Sequence, residues 1–501
     1  MSPLVPNTPS VLTAAQASGT SAQGVVCRET SSGSSVPSVM RLSAIEALAV
    51  VVLLLGCNNS NSTRDAVGTA LSYGIIAIGG VGEDVAYCAH RVADGGFVVG
   101  GSTYSFGAGS KDVIIVRLDP SGTLQWAYTY GGEEVDNLQS CLALSDGGFV
   151  AAGYTSSFGV GYSDAWVLRL NGDGSIRWSK TFGGSGVDYV KAIRALGDGG
   201  FIIAGYTGSF GSGADDVWLL RLDANGNVSW QKAYGSNSIE NTYAIEEVPV
   251  GGFIVAGQTN APDGSQRGII LMRLDPDGNL LWQRVIKGTA SMGAYCVKPL
   301  DDAGFIVSGY HTDTTNTAFV VIRTDAVGDI LWQYAYGGGG GGNDCSYVVN
   351  VATDGGFIVS GTTTSFGGRS GSALWLLRID PNGQVRWQYA YGGDYGTWGS
   401  AFTLDIDTSN GSDGRYGGSL VTGGAIKIND STDKDMLLAL VPGNGNIAGL
   451  ARKTDAVVSP THAESITTIT TVTTTHGITT DATVTPLKYT PRVDRLHNER
   501  Y

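Results

Sequence analysis

Charged side chains are scarce in this sequence, at 15% of its 501 residues, and the net charge is −14. It has no basic cluster with interleaved aromatic residues, and an acidic surface repels phosphate backbones, which argues against nucleic-acid binding. The six cysteines form no C-x-x-C pair and have no histidine at ligand spacing, which argues against a zinc site. A nucleophile elbow, a phosphate loop and an H-E-x-x-H motif are also absent, so the sequence shows no familiar catalytic constellation.

Long apolar runs are missing too, and one short run lies near the start of the chain. Residues 41–57 read RLSAIEALAVVVLLLGC, where a basic residue precedes a stretch too short to span a bilayer comfortably. The end of this run, Leu54-Leu55-Gly56-Cys57, resembles the bacterial lipobox, in which the cysteine is lipidated. A polar tether follows at residues 58–68. We therefore expect residues 40–57 to be a lipoprotein signal peptide; an ordinary signal peptide or a buried apolar segment is the alternative.

Residues 1–39 precede this signal, although a signal peptide should begin its chain. They are rich in Ser, Thr and Pro and show no periodicity, and Met40 stands directly before Arg41. We predict that translation starts at Met40 and that residues 1–39 are an incorrectly assigned extension or a disordered segment. The signal predicts an exported protein, anchored by lipid at Cys57 in the cell envelope, at the outer membrane or the cell surface.

Glycine is abundant, with 75 residues, and it belongs to a long repeat. A block resembling D-G-G-F-[IV]-[IV]-x-G recurs in steps of 52 residues (149 − 97 = 52), with phenylalanine at positions 97, 149, 201, 253, 305 and 357. Each copy contains four extended segments, joined by D-G-G and D-x-x-G turns in which glycine supplies the positive φ of a tight hairpin. The third segment is apolar almost throughout, which is typical of a strand buried on both faces.

Seven such copies, the last one degraded around Gly418, predict an all-β fold: a seven-bladed β-propeller of four-stranded antiparallel blades over residues 69–455. Residues 69–78 look like a fourth strand placed before the first copy, whereas the last copy has only a weak fourth strand near Ile447–Leu450. We expect the N-terminal strand to complete the last blade and close the ring. The Thr-rich tail, residues 456–501, is predicted to be a poorly ordered stalk or to add strands at an edge.

The repeat resembles that of a broad group of secreted bacterial and archaeal repeat proteins. In the third copy it reads DGGFIIAGYTGSFG from Asp198, followed by Leu220–Trp230 and Tyr234-Gly235. The resemblance covers roughly residues 69–455 and implies a propeller, often on lipoproteins or cell-surface proteins, mostly with no assigned activity. The D-x-x-G-x-x-x-W part also looks like motifs of quinoprotein, kelch and sialidase propellers, where it is structural.

An acidic residue follows the glycine-rich connection that leads into the first strand of most copies. With the first strand innermost, these acids ring one mouth of the central channel, and the copy at Met292 breaks the series. In one interpretation the ring binds Ca²⁺ or a cationic group, because hard cations need several oxygen ligands. In the other, which we favour, each acid accepts hydrogen bonds from its own turn or ties neighbouring blades together. The acids of this ring are Asp84, Asp136, Asp188, Glu240 and Asp344.

A binding site in a repeat protein needs residues that differ between copies, and the last connection offers Tyr395 and Trp398. Exposed aromatics there would stack on sugars, or they simply pack. The third-strand arginines recur with the repeat, so we assign them a structural role. If Arg117 pairs with Leu124, its guanidinium lies over the indole of Trp126, which would contribute about 0.5–1 kcal/mol per blade.

The cysteines give no clear pairing from the sequence. Cys88 and Cys296 occupy the same blade position four repeats apart and are too distant to bond, so each is expected to act as a small buried hydrophobic residue. Cys141 and Cys345 have no obvious partner.

These features favour a non-catalytic, monomeric cell-envelope lipoprotein whose propeller is a binding or scaffold surface for a protein or a glycan. No cofactor is expected, apart from Ca²⁺ in the cation interpretation of the acid ring. A propeller enzyme, such as a quinoprotein oxidoreductase or a glycosidase with its site at the channel mouth, is the main alternative. A surface adhesion or structural protein is the other.

Overall fold

The structure is a computed structural model, and the residues that it describes lie in one compact unit, Leu48–Tyr501. None of the described residues forms a helix, so they include no helix able to cross a membrane. The described ranges are 51–56, 74–212, 214–260, 267–288, 291–312, 316–338, 342–366, 371–391, 400–401, 405–406, 419–426, 434–442, 444, 451–453, 457–460, 463–466, 471–474, 478–481, 487–489 and 493–496.

Blades 1 to 6 each contain four consecutive antiparallel strands, which we call a to d from the channel outward, and strands are numbered along the chain. Strands a are β3 (Asp84–Arg91), β7 (Asp136–Ala143), β11 (Asp188–Ala195), β15 (Glu240–Glu247), β19 (Ser291–Pro299) and β23 (Asp344–Val351). Strands b are β4 (Phe97–Thr103), β8 (Phe149–Thr155), β12 (Phe201–Thr207), β16 (Phe253–Asn260), β20 (Phe305–Thr312) and β24 (Phe357–Thr363). Strands c are β5 (Asp112–Leu118), β9 (Asp164–Leu170), β13 (Asp216–Leu222), β17 (Arg267–Leu274), β21 (Thr317–Thr324) and β25 (Ala373–Ile379). Strands d are β6 (Leu124–Tyr130), β10 (Ile176–Gly183), β14 (Val228–Gly235), β18 (Leu280–Gly288), β22 (Ile330–Gly337) and β26 (Val385–Tyr391).

The seventh blade joins the two ends of the repeat region, as predicted. Its outer strand d is the N-terminal strand β2, which pairs antiparallel with β30 from Gly74↔Leu440 to Ile78↔Met436. An additional strand, β1, pairs outside β2. The strands of this blade are β1 (Val51–Gly56), β2 (Gly74–Gly79), β27 (Ser400–Ala401), β28 (Asp405–Ile406), β29 (Ser419–Ile426) and β30 (Asp435–Pro442). The molecule is therefore a seven-bladed β-propeller whose ring is closed by a strand from the start of the chain.

Seven short strands of the C-terminal segment pair with the outermost strand of each blade in turn. They visit the blades in the reverse of chain order, from blade 6 to blade 1 and then blade 7. These strands are β31 (Ala451–Lys453), β32 (Val457–Pro460), β33 (Ala463–Ile466), β34 (Thr471–Thr474), β35 (Ile478–Asp481), β36 (Leu487–Tyr489) and β37 (Val493–Leu496).

Strand c is apolar throughout because its two faces enter two different cores. In blade 1, Ile114 and Val116 pack against blade 7, in a cluster that includes Met436. Val113 and Ile115 point the other way and pack against Trp166 of blade 2. Burying an aliphatic side chain of this size contributes about 1.5–3 kcal/mol, so the interfaces between blades supply most of the hydrophobic stabilisation.

The repeated arginine of strand c does not lie over the neighbouring tryptophan, so that expectation was wrong. A bulge pairs Arg117 directly with Trp126, and the Trp126 ring packs edge-on against Phe149 of the next blade, with centroids 5.9 Å apart. The Arg117 guanidinium turns the other way and donates to the carbonyl of Phe97 and to the carboxylate of Asp94 in the D-G-G turn. The arginine therefore holds the turn in place, which is again a structural role.

Blades 1 and 2 are also joined covalently, by a disulfide between Cys88 and Cys141. The two cysteines lie on adjacent strands a, with their Cα atoms 5.7 Å apart. The expectation that Cys88 is an unbonded hydrophobic residue was therefore wrong, because a separation of 53 residues brings Cys141 beside it in the next blade. Cys296 and Cys345 are free thiols.

We expect the double variant Cys88→Ser/Cys141→Ser to unfold at a lower temperature than the unaltered protein. Loss of a cross-link between adjacent blades removes about 2–4 kcal/mol of stability. Thermal unfolding followed by circular dichroism, with and without reductant, measures the change. Reductant should lower the melting temperature of the unaltered protein and leave that of the double variant unchanged; a reductant effect of equal size on both would contradict the assignment.

Candidate functional site

The acids predicted to ring the channel mouth begin the strands a of five blades, on the face that we call the loop face. Asp188 is typical: one carboxylate oxygen accepts hydrogen bonds from the Gly184 amide at 2.8 Å and the Ser209 hydroxyl at 2.6 Å. Its other oxygen accepts from the Thr207 hydroxyl. Gly184 lies in the glycine-rich connection from blade 2, whereas Thr207 and Ser209 lie at the b–c loop of blade 3. The carboxylate therefore fastens the connection between two blades to the b–c loop of its own blade.

The other acids of the ring are bonded in the same way and are buried. Glu240 accepts from Ser236 and Thr259, and Asp344 accepts from Thr363 and Ser365. Among the residues that the structure describes, no group of three or more His, Cys, Asp or Glu side chains has the geometry to hold a metal ion. Tyr395, Trp398 and the lipobox residue Cys57 lie outside the described residues.

A second set of acids, which sequence reasoning missed, lies behind the ring at the first residue of strands c in blades 1 to 3: Asp112, Asp164 and Asp216. A Cβ atom added to Gly131 would lie 1.9 Å from Asp112 Oδ1 and 2.8 Å from Asp136 Oδ2, so two carboxylates of adjacent blades approach this glycine together. Burial, with a neighbouring carboxylate, raises the pKa of Asp112 to about 6 and that of Asp216 to about 6. In both, Oδ1 is buried and has no hydrogen-bond partner among the described residues. The recurrence of Asp before an apolar strand was the available signal.

We expect Asp216→Asn to raise the melting temperature at pH 7, by roughly 2 °C. Because the pKa of Asp216 is raised to about 6, the folded protein holds a proton that the unfolded chain has already released, so this residue destabilises the fold as pH rises from 4 through 6. An amide has no charge to bury beside Glu240. Melting curves between pH 4 and pH 7 measure the difference.

The matched control is Asp223→Asn in the same blade, where the exposed carboxylate accepts bonds from the Asn225 and Asn227 amides. That variant should not gain stability at pH 7. The advantage of Asp216→Asn should vanish near pH 4, where the native carboxyl is protonated. An equal gain at pH 4 and pH 7 would contradict the assignment.

The wall of the central channel is formed by strands a, and each of these strands in blades 1 to 6 is irregular at the same point. The register of pairing with strand b shifts around the fourth residue, as in Ala86/Cys88 and Val190/Ala192. A bulge re-aims its side chain, and these side chains are half-buried although they lie at the centre of the ring. The residues at this position are Tyr87, Gln139, Lys191, Tyr243, Tyr295 and Tyr347.

This layer differs between blades, unlike the acids, and sequence reasoning missed it. It contains one ammonium, one amide and four phenols. The signal was available in the 52-residue alignment, as a polar or aromatic residue three positions after each acid (84 + 3 = 87). The channel position of these residues could not be predicted, because an alternating apolar pattern does not indicate where a strand has a bulge.

Equivalent positions of adjacent blades touch each other across the channel wall. Lys191 Nζ lies 3.3 Å from Gln139 Oε1, and the Tyr310 hydroxyl donates to Gln258 Oε1 at 3.1 Å. The Tyr295 ring lies between those of Tyr243 and Tyr347, at centroid distances of 4.8 and 5.3 Å. The wall of blades 2 to 6 is thus a continuous polar and aromatic surface.

Nearer the opposite face, which we call the turn face, the wall carries an ion-pair network. Glu246 accepts from Arg194 at 2.8 Å and from Lys298 at 2.5 Å, each in a neighbouring blade. Burial opposes ionisation, but the two cations together hold the pKa of Glu246 below its usual value. The network links strands a of blades 3, 4 and 5.

Lys191 has a different environment from the cations of this network. Its Nζ lies 5.7, 5.6 and 6.0 Å from the ring centroids of Tyr189, Tyr206 and Tyr243. Burial lowers the pKa of Lys191 to about 8. In the part of the chain that the structure describes, no carboxylate lies within 4 Å of this ammonium.

A cavity of about 580 Å³ opens on the turn face between blades 1 and 2. It is lined by Arg117, Trp126 and Phe149, among others. Arg117 is already bonded to Asp94 and to the Phe97 carbonyl, and Arg169 makes the equivalent ion pair in blade 2, so this arginine has the structural role that recurs in other blades.

The fold and the repeat define a β-propeller repeat protein. The sequence model of a family described as "Domain of unknown function (DUF5122) beta-propeller" matches residues 93–124, which span strands b and c of blade 1 and their turns. No curated protein matches the sequence.

Several solved structures are similar in fold to the chain. Two crystal structures of Sqt1 from Chaetomium thermophilum are each 12% identical to it; they cover 75% of this chain and 86% or 87% of their own, with TM-scores of 0.43 and 0.41. A third, Sqt1 bound to the N-terminus of the ribosomal protein L10, is 11% identical, covers 72% of this chain and 97% of its own, and has a TM-score of 0.38. Likeness at this level adds nothing to what the strand pairing already shows.

Proposed function

We propose that this protein is a non-catalytic binding scaffold of the cell envelope, anchored by lipid at Cys57, whose central channel binds a protein or a glycan. The observation that carries the proposal is the variable layer at the strand a bulge, where blades otherwise alike present Gln139, Lys191, Tyr243 and Tyr295 to one space. Tyrosines give large, rigid contact area and a hydroxyl at little cost in conformational entropy. In this proposal the acid ring holds its own loops and needs no cation.

The disulfide supports an exported protein, because disulfides persist in oxidising compartments and are rare in the cytosol. Cleavage before Cys57 would remove β1, since this strand ends at Gly56. The seventh blade would keep four strands, because β1 pairs outside β2 and takes no part in closing the ring. Processing as a lipoprotein is therefore compatible with the propeller.

We expect Cys57→Ala to release the protein from membranes. Without the thiol there is no atom to carry the lipid, so the chain should lose incorporation of labelled fatty acid and move to the soluble fraction. Cys345→Ser, which removes a free thiol of blade 6, is the matched control and should stay with the membrane. Membrane association of Cys57→Ala equal to that of the unaltered protein would reject the anchor.

We expect Tyr295→Ala to weaken retention of envelope components on the immobilised protein at least tenfold. The Tyr295 ring contacts three other channel tyrosines, so its loss removes the centre of the aromatic wall. The control is Tyr162→Ala, which alters an 83% exposed ring on a b–c loop outside the channel. Protease and periodate treatment of the extract distinguishes a protein from a glycan partner.

Retention unaffected by Tyr295→Ala, with the melting temperature of the variant still showing a folded ring, would reject the channel as the binding site. A large thermal shift with pyrroloquinoline quinone, absent with glycans and envelope extract, would reject the non-catalytic proposal.

A further inference from the structure

Three cationic side chains lie on one part of the channel wall, although the protein as a whole is acidic. The chain has a net charge of −14. In the bulge layer and the ion-pair network, strands a of blades 3, 4 and 5 present Lys191, Arg194 and Lys298 against a single carboxylate, Glu246. The network holds its carboxylate between two cations, whereas the one acceptor that the described residues give the Lys191 ammonium is the Gln139 amide oxygen at 3.3 Å.

The groups around this ammonium suit a ring that carries hydroxyls. Tyr189, Tyr206 and Tyr243 surround Lys191, and the Tyr154 ring lies 4.2 Å from that of Tyr189. All four are half-buried. The Gln258 side chain bridges the hydroxyls of Tyr243 and Tyr310 at 3.2 and 3.1 Å and extends the polar wall into the next blades.

Resting on the proposed function of this channel, we propose that its ligand is an acidic sugar, whose single carboxylate pairs with Lys191 and whose ring packs on Tyr189, Tyr206 and Tyr243. A charge-assisted hydrogen bond from the ammonium to a carboxylate is about twice as strong as one between neutral groups. Aromatic walls with a few well-placed polar groups are the usual lining of small-ligand sites. The carboxylate supplies the acceptor that the described residues do not.

The same observations disfavour a polyanion and an acidic peptide. Glu83, Glu133 and Glu134 lie in the connections that lead into strands a, and Asp215, directly before strand c of blade 3, interacts with Tyr206 and Tyr243. With a net charge of −14, these acids repel ligands with several negative charges. A ligand with one carboxylate and an uncharged body gains the contact with Lys191 and meets little of this repulsion.

Calorimetric titration of the full-length protein with glucuronate tests the proposal, with glucose as the probe that lacks only the carboxylate. We expect glucuronate to bind and glucose to bind at least tenfold more weakly. Lys191→Met should weaken glucuronate binding tenfold or more, because a charged hydrogen bond is lost, and Lys191→Arg should restore part of it. The matched control, Lys180→Met, alters an exposed lysine of strand d that contacts Asn227, and should bind as the unaltered protein does.

Melting curves establish that each variant is folded, and Lys191→Met should melt no lower than the unaltered protein, since it removes a buried charge without a carboxylate partner. Equal affinity of glucuronate and glucose, or of Lys191→Met and the unaltered protein, would overturn the assignment. Binding of benzoate or of an acidic peptide, with no binding of glucuronate, would overturn it as well. Retention of envelope material that depends on Tyr295 is measured separately. The acidic-sugar assignment can therefore be rejected while the proposed binding function is retained.

Discussion

In strand c of every complete blade, one set of side chains packs against the preceding blade and the other set against the following one. A sheet built in this way has no solvated face and is stable only between two neighbours. The blades must therefore form a closed series, and a gap in the ring would leave one apolar face in water. The N-terminal strand β2 meets this requirement by supplying the outer strand of the seventh blade, so that both ends of the repeat region are held in one sheet.

The frame that results is fixed by repeated polar contacts as well as by its cores. In five blades the acid at the start of strand a fastens the connection from the preceding blade to the b–c loop, and the arginine of strand c holds the turn between strands a and b. Because these residues do the same work in each blade, they leave the bulge position free to differ. The tyrosines, Gln139 and Lys191 stand on this rigid scaffold and differ between blades, which is the arrangement expected where contact with another molecule is the task.

The fold was predictable because its period is written in the sequence: the Phe97 series recurs every 52 residues and strand c shows its double burial as an unbroken apolar run. The channel was not. The bulges at Tyr87 and Lys191 shift the register without changing the strand pattern, and the proximity of Cys88 to Cys141 depends on how closely adjacent strands a approach. The prediction that the Arg117 side chain lies over Trp126 failed for the same reason, since one extra residue in strand d places Trp126 directly opposite Arg117. The predictions that rested on the periodicity of the sequence, such as the strands of each blade, were correct. Those that depended on a single inserted residue were wrong.

The C-terminal strands follow every blade in the chain, yet each adds backbone pairing to a different sheet. During synthesis, blades 1 to 6 therefore form their four-stranded sheets before the outer edges are covered. The unpaired amides and carbonyls of these edges can pair with any extended segment. These edges are covered only when the C-terminal strands β31 to β37 are made and pair with the blades in the reverse of chain order. The segment thus protects the blades from strand exchange between molecules: a chain cut short before it would fold its cores and still be prone to associate through its rim.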